Sequence, residues 1–522
     1  MKIPTGSKEL QPLSNSMTLL LTAVAFVFVQ PLVLAQGAGY WHTSGNQILD
    51  SHDKVVRIAG MNWSGFETPG EVVHGLYAQD CKYILDGIKS NGYNTIRLPF
   101  SNQMVEYPIV PSSAYIAYNN ASGPINTELQ GLNSLQILDR IVAYAGQIGL
   151  RIILDNHRSE AGETAEENGL WYTPEYSEAN WISDWEALAE RYKGNSTVIG
   201  MDLRDEPHSV GEGGSWWTSP TEANDWHLAA ERAGNAILNV NPKLLIFVEG
   251  ADTKGNNWYW WGSNLQGVKK SPVLLNVKHQ LVYSAHDYGP LLYPQSWFSA
   301  KTTQASLDAL RTQMWGYVSK ENIAPVWVGE FGTPNTTADL ESNAAGSQGQ
   351  WFQGLVSYLR ADENLSWTYW DMAEDNYALL DGNWDTTPVS PKKQQMMTAI
   401  QFKLESSLPA PPPPNQGAAC HVSYSIVGNW GTGIEVNMVI ENTGKTNLSS
   451  WTLGWTFPDN QAITYLWNGV ASQTGETVTV TNESDNGTVP AGGSILGVGF
   501  VANYSGANSV PTNFRLNGVS CK

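Results

Sequence analysis

Eight short apolar runs, rich in β-branched and aromatic residues, alternate with helical patterns over most of the chain, and no other feature constrains the fold as strongly. Amphipathic stretches lie between the runs at residues 134–148, 226–238, 306–318 and 350–359, whereas residues 258–277 have loop character. Strands that alternate with helices pair in parallel. The eight units therefore predict an α/β fold, a (β/α)8 TIM barrel. The runs occupy residues 55–59, 95–98, 151–154, 198–201, 244–248, 281–284, 325–328 and 366–369.

Six side chains with functional potential stand at or just after the C-terminal ends of different runs. In a (β/α)8 barrel the active site is built at this end, by loops that surround one mouth. Taken singly, an arginine could be a surface charge and a histidine a hydrogen-bonded core residue, but six such residues on one rim indicate a shared site. The six are Arg97, His157, Glu206, His286, Glu330 and Trp370.

Two of these residues form a carboxylate pair that could cleave a glycosidic bond. Glu206 follows the fourth run and Glu330 follows the seventh. This reaction needs one protonated carboxyl at the leaving oxygen and one carboxylate at the anomeric centre. The sequence gives neither their separation nor the residue that holds the proton, so retaining and inverting chemistry both stay open. The alternative is two helix-capping glutamates on barrel loops.

A proline-rich segment divides the chain. Residues 409–414 read Pro-Ala-Pro-Pro-Pro-Pro, which predicts an extended, semi-rigid linker over residues 409–419. Before it lies the barrel domain, residues 36–408. Residues 420–522 show short alternating strands and no helical period, which predicts an all-β sandwich. This segment holds a single histidine, His421, and no carboxylate pair at strand ends, so we expect it to bind rather than catalyse.

The N-terminus is typical of an export signal. Residues 1–16 are polar and residues 17–34 are almost entirely apolar, followed by Ala35. This pattern predicts a cleaved signal peptide over residues 1–35, although a retained membrane anchor has a similar length. Export permits disulfides, so Cys420 and Cys521 could be bridged. We expect Cys81, on a predicted helix, to be a buried small hydrophobe.

The composition narrows the class of partner. The chain has 29 Lys and Arg against 49 Asp and Glu, a net charge of −20, which argues against nucleic acid and anionic membranes as partners. It has 22 Trp, more than core packing commonly needs, and broad aromatic faces suit stacking on sugar rings. A carbohydrate partner is therefore predicted.

Residues 40–408 resemble the bacterial endo-β-1,4-glucanases of glycoside hydrolase family 5. The resemblance implies a retaining mechanism in which Glu206 is the general acid/base, Glu330 is the nucleophile and Arg97 orients the nucleophile. It also implies sugar-binding roles near the scissile bond. The matching segments are residues 39–45, 60–63, 92–99, 205–208, 286–288 and 329–332. The matching sugar-binding positions are His157, His286 and Tyr288 beside the scissile bond, Trp370 beneath that sugar, Trp63 as a further stacking residue, and Trp260 and Trp261 in outer subsites, with core packing as the alternative for the last two.

One position departs from the family pattern. The family usually has Asn immediately before its acid/base, whereas this chain has Asp205. Asn can donate a hydrogen bond to the sugar 2-hydroxyl, but an ionised Asp can only accept one. An ionised Asp205 would favour the protonated form of Glu206, whereas a protonated Asp205 could donate to the sugar much as Asn does. Either way, this residue puts the family's usual rate and pH profile in doubt.

Residues 420–522 resemble the cellulose-binding modules of family 2. The resemblance is carried by residues 451–458, 466–469 and 514–518 and by the terminal cysteine pair. That family exposes a row of three aromatic residues. Trp430 and Trp467 match two of them, and Asp485 stands at the third position. We expect Trp451 and Trp455 to pack inside, because they alternate within one strand.

Together these features predict a secreted, extracellular, monomeric endoglucanase that needs no cofactor or metal and is tethered to cellulose or a related β-glucan. One alternative keeps the mechanism and changes the substrate to mannan, xylan or mixed-linkage β-glucan. Another is a non-catalytic polysaccharide-binding protein that is impaired at Asp205.

Overall fold

The computed structural model describes residues 36–522 except 212, 373–375, 381–382, 403, 405–419, 445–446, 449, 484–485, 512, 518 and 522. The predicted signal peptide (1–35), the linker (409–419) and Asp485 lie outside the described residues. The chain divides into two compact units, residues 1–407 and 408–522. No helix in the described part of the chain is long and apolar enough to span a membrane.

The first unit is a closed barrel of eight parallel strands, as predicted. Neighbouring strands pair in sequence order and the barrel closes between β8 and β1. The strands are β1 (Ala59–Asn62), β2 (Thr95–Ser101), β3 (Arg151–Arg158), β4 (Val198–Asp202), β5 (Leu245–Glu249), β6 (Leu281–His286), β7 (Val326–Glu330) and β8 (Ser366–Tyr369).

The predicted position of the first barrel strand is wrong. Residues 55–59 were expected to form it, but β1 begins at Ala59, and Val55–Val56 instead pairs with Gln47–Leu49 in a small antiparallel sheet. Val56 and Ile58 pack in a core cluster with residues from the N-terminal parts of the barrel strands, such as Trp327. Their apolar side chains therefore close the N-terminal end of the barrel.

Helices cover the outside of the barrel. The predicted helix at 134–148 forms with a capping box between Asn133 and Gln136, but the one at 306–318 is interrupted by a π-helical turn at Thr312–Gly316. The stretch between β5 and β6 contains no helix, as predicted. The helices are α1 (Cys81–Ser90), α2 (Asn102–Glu106), α3 (Ser134–Gln147), α4 (Glu178–Arg191), α5 (Trp226–Val240), α6 (Gln304–Arg311), α7 (Tyr317–Lys320), α8 (Thr337–Glu341), α9 (Gln348–Ala361) and α10 (Pro391–Thr398).

Most tryptophans of the barrel unit pack in the core. Twelve indoles are almost fully enclosed, so the high Trp content is chiefly a packing feature and a weaker sign of sugar binding than the composition suggested. Cys81 is also buried, as expected, and burial raises the pKa of its thiol. The twelve are Trp41, Trp63, Trp171, Trp181, Trp185, Trp217, Trp226, Trp315, Trp327, Trp351, Trp367 and Trp384.

The second unit is a sandwich of two antiparallel sheets around its own core, as predicted. Trp451 and Trp455 pack inside it, and a disulfide joins Cys420 to Cys521. One sheet has the order β9-β10-β15-β12 and the other β13-β14-β11-β16-β17. The strands are β9 (Cys420–Asn429), β10 (Gly433–Asn442), β11 (Thr452–Thr456), β12 (Ala462–Trp467), β13 (Val470–Thr474), β14 (Thr477–Thr481), β15 (Ser494–Asn503), β16 (Arg515–Leu516) and β17 (Val519–Ser520).

Candidate active site

A fully buried arginine is the centre of the site at the C-terminal end of the barrel. Arg97 on β2 points its guanidinium at carboxylates contributed by β3, β4, β5, β7 and the segment after β4. A planar guanidinium with five N–H donors can serve several carboxylates at once. The nitrogen–oxygen distances are 3.1 Å to Asp155, 2.9 Å to Asp202, 2.9 Å to Asp205, 3.4 Å to Glu249 and 2.6 Å to Glu330.

Glu330 ends β7 and is held by two donors. Arg97 donates to Oε1 at 2.6 Å and the Tyr288 hydroxyl donates to Oε2 at 2.8 Å. Burial raises the pKa of Glu330 to about 8; the charge of Asp205 adds to this rise, while His286 and Arg97 oppose it. Both donors aim hydrogens at the two carboxylate oxygens, which favours the ionised form.

Glu206 lies just after β4 in a left-handed backbone conformation, with φ of 46°. This conformation is uncommon outside glycine and needs support from its surroundings. Glu249 supplies it, because its Oε2 accepts the backbone N–H of Glu206 at 2.9 Å. The Glu206 side chain is 18% exposed, against 6% for Glu330, so it is the more accessible of the two carboxyls.

One histidine links the two glutamates. The Nδ1 of His286 lies 3.0 Å from Oε1 of Glu206 and 3.6 Å from Oε2 of Glu330, while its Nε2 lies 3.1 Å from Glu249. Burial lowers the pKa of His286, but Glu249 and Glu330 outweigh burial and raise it well above its usual value. These surroundings favour a charged imidazolium, which lies close to both carboxyls.

A second histidine, His157, lies at one side of the site. The Nδ1 of His157 lies 2.8 Å from Asp155 and 3.5 Å from Asp205. Burial lowers the pKa of His157, yet Asp205 and Asp155 raise it to about 10. Its ring is stacked with that of Trp370 at 5.7 Å and 9°, and the half-buried Trp370 lies beside the site.

The surroundings of Asp205, the departure from the family pattern, favour its ionised form. The residue is buried, which raises its pKa, but His157, Arg97 and His286 outweigh burial and lower the pKa below its usual value. Of the two alternatives left open by the sequence, the structure favours the negatively charged one.

The three remaining predicted tryptophans differ in their surroundings. Trp63 is enclosed in the core and donates its indole N–H to the carbonyl of His74, so its prediction as a stacking residue is wrong for this structure. Trp260 is only 5% exposed and packs edge-on against Tyr288. Trp261 is 41% exposed and stacks on His208 at 3.6 Å, which leaves one indole face open to a ligand.

Sequence reasoning missed three carboxylates of this network, Asp155, Asp202 and Glu249. Asp202 and Glu249 are the last residues of β4 and β5, so a carboxylate that ends a buried strand was the available signal. Two sets of donor atoms lie within 4.8 Å of one another, as a metal site requires: Asp155, His157 and Asp205, and Asp205, His286 and Glu330. Each set contains carboxylates already paired with Arg97, so a metal ion would compete with the guanidinium.

Aromatic side chains lie on β12 of the β9-β10-β15-β12 sheet and in the turn between β9 and β10; Tyr465 and Trp467, both on β12, form the aromatic face of the sandwich. Trp430 is 54% exposed, Trp467 is half-buried, and Tyr465, which sequence reasoning missed, is 66% exposed. The rings of Tyr465 and Trp467 lie 6.1 Å apart. Trp467 packs flat over Gly499, where a Cβ would come within 2.4 Å of the indole.

Both units match described families. Residues 49–376 match "Cellulase (glycosyl hydrolase family 5)" and residues 420–521 match "Cellulose binding domain". An endoglucanase of Paenibacillus polymyxa is 47% identical over 374 residues, which cover 70% of this chain and 88% of that protein. The major extracellular endoglucanase of Xanthomonas campestris is 31% identical over 502 residues, 91% of this chain and 98% of that protein.

Solved structures agree with the fold. The hyperthermophilic endocellulase of the archaeon Pyrococcus horikoshii superposes with a TM-score of 0.62 at 34% identity, covering 70% of this chain and 98% of that one. Its solved forms include complexes with cellotetraose. The catalytic domain of the Xanthomonas campestris endoglucanase gives a TM-score of 0.60 at 33% identity, covering 69% of this chain and 99% of that one.

Proposed function

Because this chain belongs to glycosyl hydrolase family 5, we propose that it is an endoglucanase that cuts internal β-1,4 bonds of cellulose with retention of configuration. Glu330 is the nucleophile and Glu206 the general acid/base. The observation that carries this proposal is the bridge made by His286, whose Nδ1 lies near oxygens of both glutamates. Relatives named endoglucanase and a neighbour solved with cellotetraose support the substrate.

The first step forms a glycosyl-enzyme. An Oε atom of Glu330 attacks the anomeric carbon while the bond from that carbon to the leaving oxygen breaks, and Glu206 gives its proton to that oxygen. Arg97 and Tyr288 hold the Glu330 carboxylate in place through hydrogen bonds of 2.6 and 2.8 Å. The fixed donors cost no reorganisation when the charge moves.

The second step releases the sugar. Glu206, now ionised, takes a proton from water, the water oxygen bonds to the anomeric carbon, and the ester bond to Glu330 breaks. The cationic His286 lies within 3.6 Å of both glutamates and stabilises negative charge on whichever carries it. The same histidine therefore serves both steps.

We assign the other segments of the chain to export and to substrate binding. We assign residues 36–408 to the catalytic domain, 409–419 to a linker and 420–522 to a cellulose-binding module. A signal peptide over residues 1–35 would export the protein. We propose that it acts outside the cell as a monomer. The Xanthomonas campestris relative, which aligns over 91% of this chain, is named an extracellular endoglucanase.

A substrate panel tests the function. The purified protein should release reducing ends from carboxymethylcellulose faster than from mannan, xylan or mixed-linkage β-glucan, with long products appearing first. A preference for one of the other glycans would keep the mechanism and replace the substrate. No turnover on any of them, cellodextrins included, would favour a non-catalytic binding protein.

The aromatic face of the sandwich should bind insoluble cellulose. Replacing Trp467 or Tyr465 by Ala should each weaken adsorption about tenfold, because each removes a broad apolar ring from the contact. Adsorption isotherms on crystalline cellulose measure the effect. Val470→Ala is the matched control, since Val470 is 54% exposed but lies on the other sheet. Equal adsorption by all three variants would contradict this assignment.

Asp205 should set the acid limb of the pH profile. Glu330 must be ionised to attack, and burial together with the charge of Asp205 raises its pKa to about 8. Asp205→Asn removes that charge and lowers the pKa of Glu330, so the acid limb of kcat/KM should move to lower pH. Asp53→Asn, at a site with an 84% exposed side chain, is the control and should leave the limb in place. An unchanged limb in Asp205→Asn would show that Asp205 has no electrostatic effect on the nucleophile.

A further inference from the structure

We propose that Asp287 is a positioning residue for glycosidic bond cleavage, and that its buried ion pair with Arg311, between the barrel and its helices, keeps the Tyr288 hydroxyl on Glu330. The side chains of the pair contact each other and the surrounding helices, so they act on the reaction only through their neighbours. The inference rests on the proposed role of Glu330 as the nucleophile.

Asp287 lies between two residues that face the reaction. The His286 imidazole lies 3.0 Å from Glu206 and 3.6 Å from Glu330. On the other side, the Tyr288 hydroxyl donates to the Glu330 carboxylate at 2.8 Å. The backbone N–H of Asp287 itself donates to the Glu330 carbonyl at 3.0 Å. A displacement of Asp287 would therefore move both neighbours and the main chain of the nucleophile.

Three donors fix the Asp287 carboxylate, two of them from helices. The indole N–H of Trp351, on α9, donates to Oδ1 at 2.7 Å. Nε of Arg311, the last residue of α6, donates to Oδ2 at 3.0 Å, and the Tyr259 hydroxyl donates to the same oxygen at 3.2 Å. Asp287 and Arg311 are each 1% exposed, so removing either partner leaves the other as an unpaired buried charge.

Arg311 connects the end of β6 with two helices. Besides its contact with Asp287, its Nη2 donates to the carbonyl of Trp351 on α9 at 3.2 Å, and its Nη1 donates to Asp308 on α6 at 3.2 Å. Every nitrogen of the guanidinium thus has an acceptor, and a planar fork held in this way has little freedom to move. The position of Asp287 is therefore determined by the packing of α6 and α9.

Two departures from regular geometry lie next to this pair. The pairing of β6 with β7 shifts register between Ala285 and His286, directly before Asp287. The helix that carries Arg311 passes at once into the π-helical turn Thr312–Gly316. Bulges beside active sites re-aim side chains, and π-helical turns are frequent at functional sites. Their coincidence with the ion pair indicates that this part of the barrel is shaped to place His286 and its neighbours.

Loosening this segment should raise the pKa of Glu330. A hydroxyl that donates to a carboxylate favours its ionised form, and so does a nearby cation. When Asp287 is released, Tyr288 and His286 move away from Glu330 while the groups on other strands stay in place. Glu330 must be ionised to attack, so the acid limb of kcat/KM should move to higher pH. The ionisable groups that face Glu330 are Arg97 from β2, His286 and Tyr288 from the end of β6, and Asp205 and Glu206 from the segment after β4.

Asp287→Asn tests the pair in the purified full-length protein with cellopentaose as substrate. The amide keeps the shape of the side chain but gives up the charge and one of the two acceptor oxygens. We expect kcat to fall about tenfold or more through misplacement, and the acid limb to move to higher pH. KM should stay within about twofold, because the sugar-binding surfaces are untouched. Asp308→Asn is the matched control, since Asp308 contacts the same guanidinium with a 40% exposed side chain, and it should keep the wild-type kcat and limb.

A double variant shows whether Asp287 acts through Tyr288. Tyr288→Phe removes the donor to Glu330 and should by itself move the acid limb to higher pH. In Asp287→Asn/Tyr288→Phe the limb should move by less than the sum of the two single shifts, because the same hydrogen bond is lost only once. Shifts that simply add would overturn the inference. So would a lower kcat with an unmoved limb in Asp287→Asn, since a purely structural defect lowers the active fraction and leaves the pKa of the nucleophile alone.

A milder variant covers the case in which the unpaired charge of Arg311 unfolds Asp287→Asn. Tyr259→Phe removes one hydroxyl from Oδ2 of Asp287 and leaves the ion pair in place. It should lower kcat and move the acid limb in the same direction by a smaller amount, and a wild-type profile in this folded variant would overturn the inference. Failure of the wild type to hydrolyse cellopentaose would instead overturn the proposed endoglucanase function.

Discussion

Replacing Glu330 by Gln should lower kcat/KM for every glycan substrate by about 10³-fold or more, which corresponds to about 4 kcal/mol of transition-state stabilisation. The amide keeps the shape of the side chain and can still accept the hydrogen bond from Arg97, but it cannot form the glycosyl ester. Initial rates on carboxymethylcellulose and on an aryl cellobioside measure the loss. Since no leaving group can bypass the nucleophile, the two substrates should lose activity together.

Two controls separate lost chemistry from lost structure. Glu190→Gln changes a glutamate whose side chain is 65% exposed on α4, and it should keep the wild-type rate. Glu330→Gln should still bind cellotetraose in calorimetry and unfold near the wild-type temperature. Near-normal turnover by a folded Glu330→Gln protein would remove Glu330 from the nucleophile role and leave the mechanism without a covalent step.

The barrel itself was predictable because its strands are buried on both faces, so each reads as a continuous apolar run. The first strand was misplaced because its sequence is a poor strand former. Gly60 and Asn62 have low β-propensity, whereas the more apolar residues 55–58 close the end of the barrel. Gly60 is needed there, since a Cβ would come within 2.1 Å of the Thr95 carbonyl on the next strand.

Less of the site than of the fold could be predicted from the sequence. Strand-end position was sufficient to select Glu206 and Glu330, because all parallel strands present their ends at one mouth. Arg97 was selected because the predicted run ended at residue 98, whereas β2 continues to Ser101 and Arg97 lies within it. It did not show that Glu249 supports the left-handed backbone of Glu206 and also contacts His286, since both contacts depend on three-dimensional packing. The sequence also did not show that Trp63 is buried in the core while Trp261 is 41% exposed, because burial depends on the packing of distant segments.

The acid/base residue should show a different signature from the nucleophile, because its contribution depends on the leaving group. Glu206→Ala removes the proton donor, so hydrolysis of cellooligosaccharides, whose leaving alkoxide must be protonated, should fall by about 10²–10⁴-fold. An aryl cellobioside with an acidic phenol needs no such proton, and its first step should stay fast. The second step then becomes limiting, because no base activates the water.

Azide separates these two steps for Glu206→Ala. As an anion it attacks the glycosyl-enzyme without a general base, so added azide should raise the turnover of the aryl substrate and yield the β-configured glycosyl azide. The same azide should give no rescue in Glu330→Gln, which forms no glycosyl-enzyme. The partial exposure of Glu206, at 18% of its side chain, leaves a path for the anion once the carboxylate is removed. If Glu206→Ala lost both substrates equally and azide restored neither, Glu206 would not be the proton carrier, and the more deeply buried Glu249 beside His286 would be the next residue to test.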